Sequence, residues 1–206
     1  MALWNTTQED LTSKTGTKER LVTSGVYDLE IKEAYITNST KSKAQAVTIA
    51  FENDNNYGRV NFWFLKGDGT ENKFAVKALS RMMYLCKFKA DHDLKQETKK
   101  VKTFDGKEVD RVFLPELHGK ALGMIIEAKK DGDNVNLDVK DFFDIKSRKT
   151  SDEILNKTEA VTVPFFEEKY KDAKPQVTEN ENGLPYETDK NIITDKSALK
   201  DDEFPF

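Results

Sequence analysis

GVYDLEIKEAYIT, Gly25 to Thr37, places Tyr27, Leu29 and Ile31 at period two and then Ala34 and Ile36 at the opposite parity. Side chains alternate between the two faces of a strand, so the change of parity near Lys32 and Glu33 predicts one long strand bent by a bulge. The polar run NSTKSKA, Asn38 to Ala44, reads as a turn into QAVTIAFE, where Val47, Ile49 and Phe51 alternate with Ala46, Thr48 and Ala50. After the turn NDNNYG comes RVNFWFLK, with Val60, Phe62 and Phe64 on one face and Arg59, Asn61, Trp63 and Leu65 on the other. These three strands are expected to form an antiparallel meander.

Past the turn KGDGTENK, the segment FAVKALSRMMYLCKF repeats Phe74, Ala78, Met82 and Leu85 at helical spacing and keeps Lys77, Arg81 and Lys87 polar, which predicts one amphipathic helix. Residues 89–114 are lysine-rich and irregular, with a hairpin expected around Asp105-Gly106 between VKTF and VDRVF. Two further strands follow, Lys120 to Lys129 and Asn134 to Asp144, with Leu122, Met124 and Ile126 facing Val135, Leu137 and Val139. Five strands with a helix between the third and fourth is the order of the OB-fold, a five-stranded Greek-key barrel, and a bent first strand is what closing such a barrel requires. Another α+β sheet domain with the same element order is the alternative.

The 206 residues are 37% apolar and 34% charged. Average globular domains have roughly 45–50% and 25%, so part of the chain is expected to be solvated rather than packed. The net charge of −4 divides unevenly. Residues 150–206 hold 7 Lys against 14 Asp plus Glu, or −7, which leaves +3 on residues 1–149. The expected organisation is an N-terminal arm over 1–20, a β-barrel domain over 21–149, and a flexible acidic tail over 150–206 whose few apolar residues cannot offset chain entropy. No run approaches the ~20 apolar residues of a membrane span, and the N-terminus lacks a basic patch followed by an apolar run, so neither membrane insertion nor export is expected. A single cysteine, Cys86, suits a reducing cytoplasm.

Catalytic chemistry finds no constellation. His92 and His118 are isolated, Cys86 falls on the helix, Gly119-Lys120 lacks the rest of a phosphate loop, and Asp131-Gly132-Asp133-Asn134 lacks the spacing of a calcium loop. Neither a catalytic nor a metal site is expected, and no cofactor. A binding face is expected instead. If Val47, Ile49, Phe51, Val60, Phe62 and Phe64 point inward, Arg59, Asn61 and Trp63 point outward beside the small Ala46, Thr48 and Ala50. An indole among small neighbours offers a platform for a flat base, worth ~1–3 kcal/mol, and a guanidinium meets phosphate. Lys41 and Lys43 in the first turn and Lys129 and Lys130 in the last would border this face, with Lys66 and Lys73 extending the basic track. The alternative is that Trp63 packs beneath the N-terminal arm or the 89–114 insertion.

The last six residues are Asp201, Asp202, Glu203, Phe204, Pro205 and Phe206, an acidic run before two aromatics and a proline. Such a segment can steer to a basic rim and fill an apolar pocket. This ending resembles the acidic tip of bacterial single-stranded DNA-binding proteins. The body looks like phage-encoded single-stranded DNA-binding proteins of OB-fold type through its opening strand GVYDLEIK and closing strand KDFFD. A Lys- and Glu-rich linker and the 89–114 insertion depart from the bacterial pattern. The resemblance implies a non-enzymatic protein that coats single-stranded DNA in phage replication, recombination or repair in a bacterial cytoplasm, and whose tip recruits a polymerase, helicase, primase or nuclease. Two rivals stay open: an OB-fold adaptor whose tip mimics that of the host protein, and a replication or recombination nuclease.

Overall fold

The computed structural model describes residues 18–102, 108–132 and 134–176. The chain is mainly β, and its organising element is the long strand β2 (Gly25–Asn38). Its partners are β3 (Gln45–Glu52) and then β4 (Asn56–Leu65), an antiparallel meander. The β2–β3 register shifts between Ile31 and Glu33, so the parity change in the sequence is a bulge at Lys32. Strand β4 begins three residues earlier than the apolar alternation suggests, because the turn tightens around Asn53, whose side chain accepts from the backbone N–H groups of Asn55 and Asn56.

The other edge of β2 is lined by one continuous run of chain. Strand β7 (Ala121–Asp131) pairs with Gly25–Glu30, and β6 (Glu108–Phe113) meets β2 at Tyr35. Between them a short 3-10 turn, Pro115–Leu117, spans the bulge, anchored by Leu114 N–H on the Ala34 carbonyl (2.9 Å) and Gly119 N–H on the Ile31 carbonyl (2.8 Å). Strand β5 (Glu97–Lys102) pairs with β6, so the lysine-rich insertion does form a hairpin; the turn around Asp105-Gly106 lies outside the described residues. Strand β8 (Asn134–Asp144) pairs with β7, and β9 (Lys149–Thr150) with β8.

Among the described residues no ladder joins β4 to β8, and the sheet is open there. The gap is bridged by side chains. Strand β1 (Glu19–Arg20) runs parallel to β4, and the Arg20 guanidinium donates to the Val135 carbonyl on β8 (3.2 Å). At Gly58 on β4 the approach is close: a Cβ there would meet the Phe51 ring at 2.7 Å and Leu137 of β8 at 3.1 Å, so a larger residue would push the two strands apart.

Helix α1 (Lys73–Leu85) crosses the open end. Asn72 caps it by accepting from Phe74 N–H (3.2 Å), and Ala75, Ala78, Leu79, Met82, Met83 and Leu85 face the core. It stops at Lys87, where φ is +67°, with Lys87 N–H on the Tyr84 carbonyl and Phe88 N–H on the Met83 carbonyl, the two bonds of a Schellman motif. The core itself contains Ile31, Ile49, Phe51, Val60, Phe62, Leu122, Met124 and Ile126, residues that alternation assigns inward, and also Phe142, which a register shift between β7 and β8 brings to the inner face.

Residues 150–176 differ from the flexible tail expected of them. Helix α2 (Ser151–Leu155) lies beside α1, with Ile154 on the main core and Asp152 bonded to Arg81, and helix α3 (Thr162–Tyr170) folds against the outer surface of β2, β7 and β8. Val163, Phe166 and Tyr170, at helical spacing i, i+3 and i+7, cover Val26, Ile125 and Phe143 in a second apolar cluster. Isolated apolar residues look solvated in a linear sequence, yet three on one helical stripe suffice once a sheet face supplies partners. Phe142 and Phe143 of KDFFD therefore serve opposite layers, Phe142 beneath Phe62 at 5.7 Å and Phe143 beneath α3. Residues 177–206, including the tip Asp201 to Phe206, lie outside the described residues, as do residues 1–17.

Candidate nucleic-acid interface

Cross-strand register arranges the outward residues of β2, β3 and β4 in three rows: Glu33–Ala50–Arg59, Tyr35–Thr48–Asn61 and Thr37–Ala46–Trp63. The middle row and its neighbours carry a hydrogen-bonded ladder. Thr48 Oγ1 lies 2.8 Å from Asn61 Oδ1 and 2.6 Å from Thr37 Oγ1. The amide oxygen only accepts, so Thr48 donates to it, and Thr37 must donate to Thr48. This chain pins Asn61 with its oxygen toward the sheet and leaves its NH2 group as an outward donor. Arg59 is exposed and donates from Nη1 to the Tyr35 hydroxyl (3.3 Å).

The small residues are not the open floor that the sequence suggests. Ala46 is 0% and Thr48 2% exposed, because larger side chains flank them in each row. Trp63 is half-buried, with one part of the indole accessible. The accessible features of the face are therefore an indole, an amide donor and a guanidinium on alternate positions of one strand. Tyr35, which sequence alternation leaves unassigned, is 4% exposed at the centre of the cluster. The Arg111 guanidinium lies 4.3 Å from its ring centroid, and Phe113 meets the same ring at 5.9 Å.

The predicted cations separate into two groups. Lys41 and Lys43 lie in the loop after β2, and Lys43 N–H donates to the Gly67 carbonyl (3.1 Å), which joins that loop to the one containing Lys66. Lys73 starts α1 at the same end, since Asn72 N–H bonds the Phe64 carbonyl (2.8 Å). All four are exposed, beyond the Trp63 end of β4. Phe74, next to Lys73, is 85% exposed there. Lys129 and Lys130 occupy the tip of the β7–β8 hairpin, past the opposite end of β2. Lys129 is already paired with Glu127 (3.0 Å) and Asp138 (3.5 Å). The bonds from Lys140 and then Lys129 outweigh desolvation and bring the Glu127 carboxyl down to about 2.

The two histidines serve the scaffold. His92 Nε2 donates to the Glu116 carboxylate (3.1 Å) with its ring stacked on Phe88 at 4.9 Å, and His118 Nδ1 donates to the Lys32 carbonyl (2.6 Å) at the bulge. Cys86 is buried against the core, and burial pushes its thiol up to about 11. Among the described residues no helix is long and apolar enough to cross a membrane.

No protein-family model matches the chain, and a search of curated proteins gives no match.

Proposed function

We propose that this chain is a single-stranded DNA-binding protein of OB-fold type, with its barrel left open between β4 and β8, acting in phage DNA replication, recombination or repair. The observation that carries the reading is the outer face of β4: Trp63, Asn61 and Arg59 present a π-surface, an outward amide donor and a guanidinium side by side. A base can stack on the indole whatever its identity, since every base has a π-face, and the two donors suit base edges and phosphates. Lys41, Lys43, Lys66 and Lys73 extend the positive surface beyond the indole. The acidic tip Asp201 to Phe206, which resembles that of bacterial single-stranded DNA-binding proteins, is proposed to recruit partner enzymes through Phe206 in an apolar pocket.

Titration of the full chain with single-stranded DNA, double-stranded DNA and RNA tests the reading. Trp4 and Trp63 are the two tryptophans, so a Trp4→Phe background isolates the Trp63 signal. Single-stranded DNA is expected to quench it and to bind in preference to duplex. Trp63→Ala should weaken binding by about 1–3 kcal/mol with the fold intact. Undiminished affinity in the folded variant would move the site elsewhere. Deleting residues 201–206 should keep DNA affinity and abolish capture of replication proteins; the reverse outcome would exchange the roles of body and tip.

A further inference from the structure

The β5–β6 hairpin has two chemically different faces. On one, register sets Lys100 against Asp110, opposite charges directly across the strands. On the other it sets Lys99 against Arg111, two cations at a position where like charges destabilise a sheet. Both cations rest on aromatic rings: Arg111 on Tyr35 at 4.3 Å, and Lys99 on Phe113 at 5.6 Å. The carboxylate nearest Lys99 is Glu97, at 3.3 Å, and Glu97 also pairs with Lys95 at 2.9 Å. Two lysines thus share one carboxylate, and Arg111 lies opposite one of them. Among the described residues neither Arg59 nor Arg111 has a carboxylate within ion-pair distance.

The charged pair is continuous with the candidate face. Tyr35 receives Arg111 over its ring and Arg59 at its hydroxyl, so one buried phenol joins the two guanidinium groups. From Trp63 the donors run through Asn61 and Arg59, across Tyr35, to Arg111 and Lys99. We infer that the Lys99–Arg111 face of the hairpin is a second binding wall that holds the phosphodiester backbone of a nucleic-acid strand leaving the Trp63 platform. A phosphate between Lys99 and Arg111 removes the like-charge repulsion that the register otherwise imposes. The Tyr35 ring holds Arg111 without neutralising it, and Glu97, shared with Lys95, offsets Lys99 only in part. This inference rests on the proposed single-stranded DNA-binding function.

The test compares the full chain with Lys99→Gln/Arg111→Gln, using oligonucleotides of about four and about twenty nucleotides, the range of known site sizes per OB unit and beyond. The short strand occupies the Trp63 platform alone and should bind both proteins equally. The long strand should bind the variant at least about tenfold more weakly at low salt, with the log–log salt slope shallower by about 1.4, two phosphates at ~0.7 each. Lys100→Gln, on the matched face of the same hairpin, should leave that slope unchanged, and Lys99→Arg/Arg111→Lys should restore it. If wild type binds the long strand and the double variant binds it as well with the same slope, the hairpin wall is overturned and the Trp63 platform stands. Absence of wild-type binding to either strand overturns both.

Discussion

Beyond the N-terminal half of β2, the outward side chains Val26, Ile125 and Phe143 are sealed by Val163, Phe166 and Tyr170 of α3, whereas beyond its C-terminal half Arg59, Asn61 and Trp63 meet no helix among the described residues. The two surfaces belong to one sheet, divided by the bulge at Lys32. On the sealed side the guanidinium is matched: Arg148 lies over Phe143 at 4.5 Å and pairs with both Asp28 (2.8 Å) and Glu167. On the other side Arg59 and Arg111 find, among the described residues, a tyrosine and no carboxylate. Matched charge closes a surface, because each cation has spent its donors within the fold. Cations held by aromatic rings keep donors and charge for an incoming anion.

The largest effect is expected on the sealed side, at Phe143. Its ring covers Gly123 so closely that a Cβ there would lie 2.1 Å from it, and α3 seals the other side. Phe143→Ala should cost about 3–5 kcal/mol in urea unfolding and leave the DNA affinity of the folded fraction unchanged. A loss of binding without a loss of stability would mean that the sealed surface is the interface.

A smaller effect is expected at Glu153, which holds α2 and α3 together. Burial disfavours its charge, yet its oxygens accept from Thr150 N–H (2.8 Å), Val161 N–H (2.9 Å), Thr162 N–H (2.8 Å) and the Thr162 hydroxyl (2.8 Å). These bonds outweigh desolvation and bring the carboxyl from 4.5 down to about 2. A depressed folded pKa contributes stability above the unfolded value, so this contribution should fade as pH drops from 4.5 towards 2. Glu153→Gln should cost about 1–3 kcal/mol at neutral pH and flatten the acid limb of the stability curve. An unchanged acid limb in the variant would show that other carboxylates govern acid unfolding.

The smallest effect separates the two lysine groups. Removing Lys41 and Lys43 together should flatten the salt dependence of DNA binding, by about 0.7 for each phosphate that no longer meets a lysine. Lys129→Ala should change it less, since Glu127 and Asp138 already engage that ammonium. Equal effects would place the tip of the β7–β8 hairpin in the interface as well.

Much of this architecture is legible in the linear chain. Alternation in GVYDLEIKEAYIT, QAVTIAFE and RVNFWFLK separates core from outer face, and the parity change locates the bulge, because side-chain direction along a strand follows from local backbone geometry. The helix over 73–85 and the two later hairpins are readable for the same reason. Arg59, Asn61 and Trp63 fall together since they sit two apart on one strand. Only the tertiary structure decided what those residues meet. Tyr35 and Arg59 are 24 positions apart, and Tyr35 reaches Phe113 and Arg111 through a single point where β2 and β6 pair. Residues 150–176 look too polar to fold until the outer face of β7 and β8 gives Val163, Phe166 and Tyr170 something to cover. Periodicity is a property of neighbouring residues and survives in any sequence. Which surface is sealed and which cations stay unmatched depends on register between distant strands, and that is set only when the whole sheet assembles.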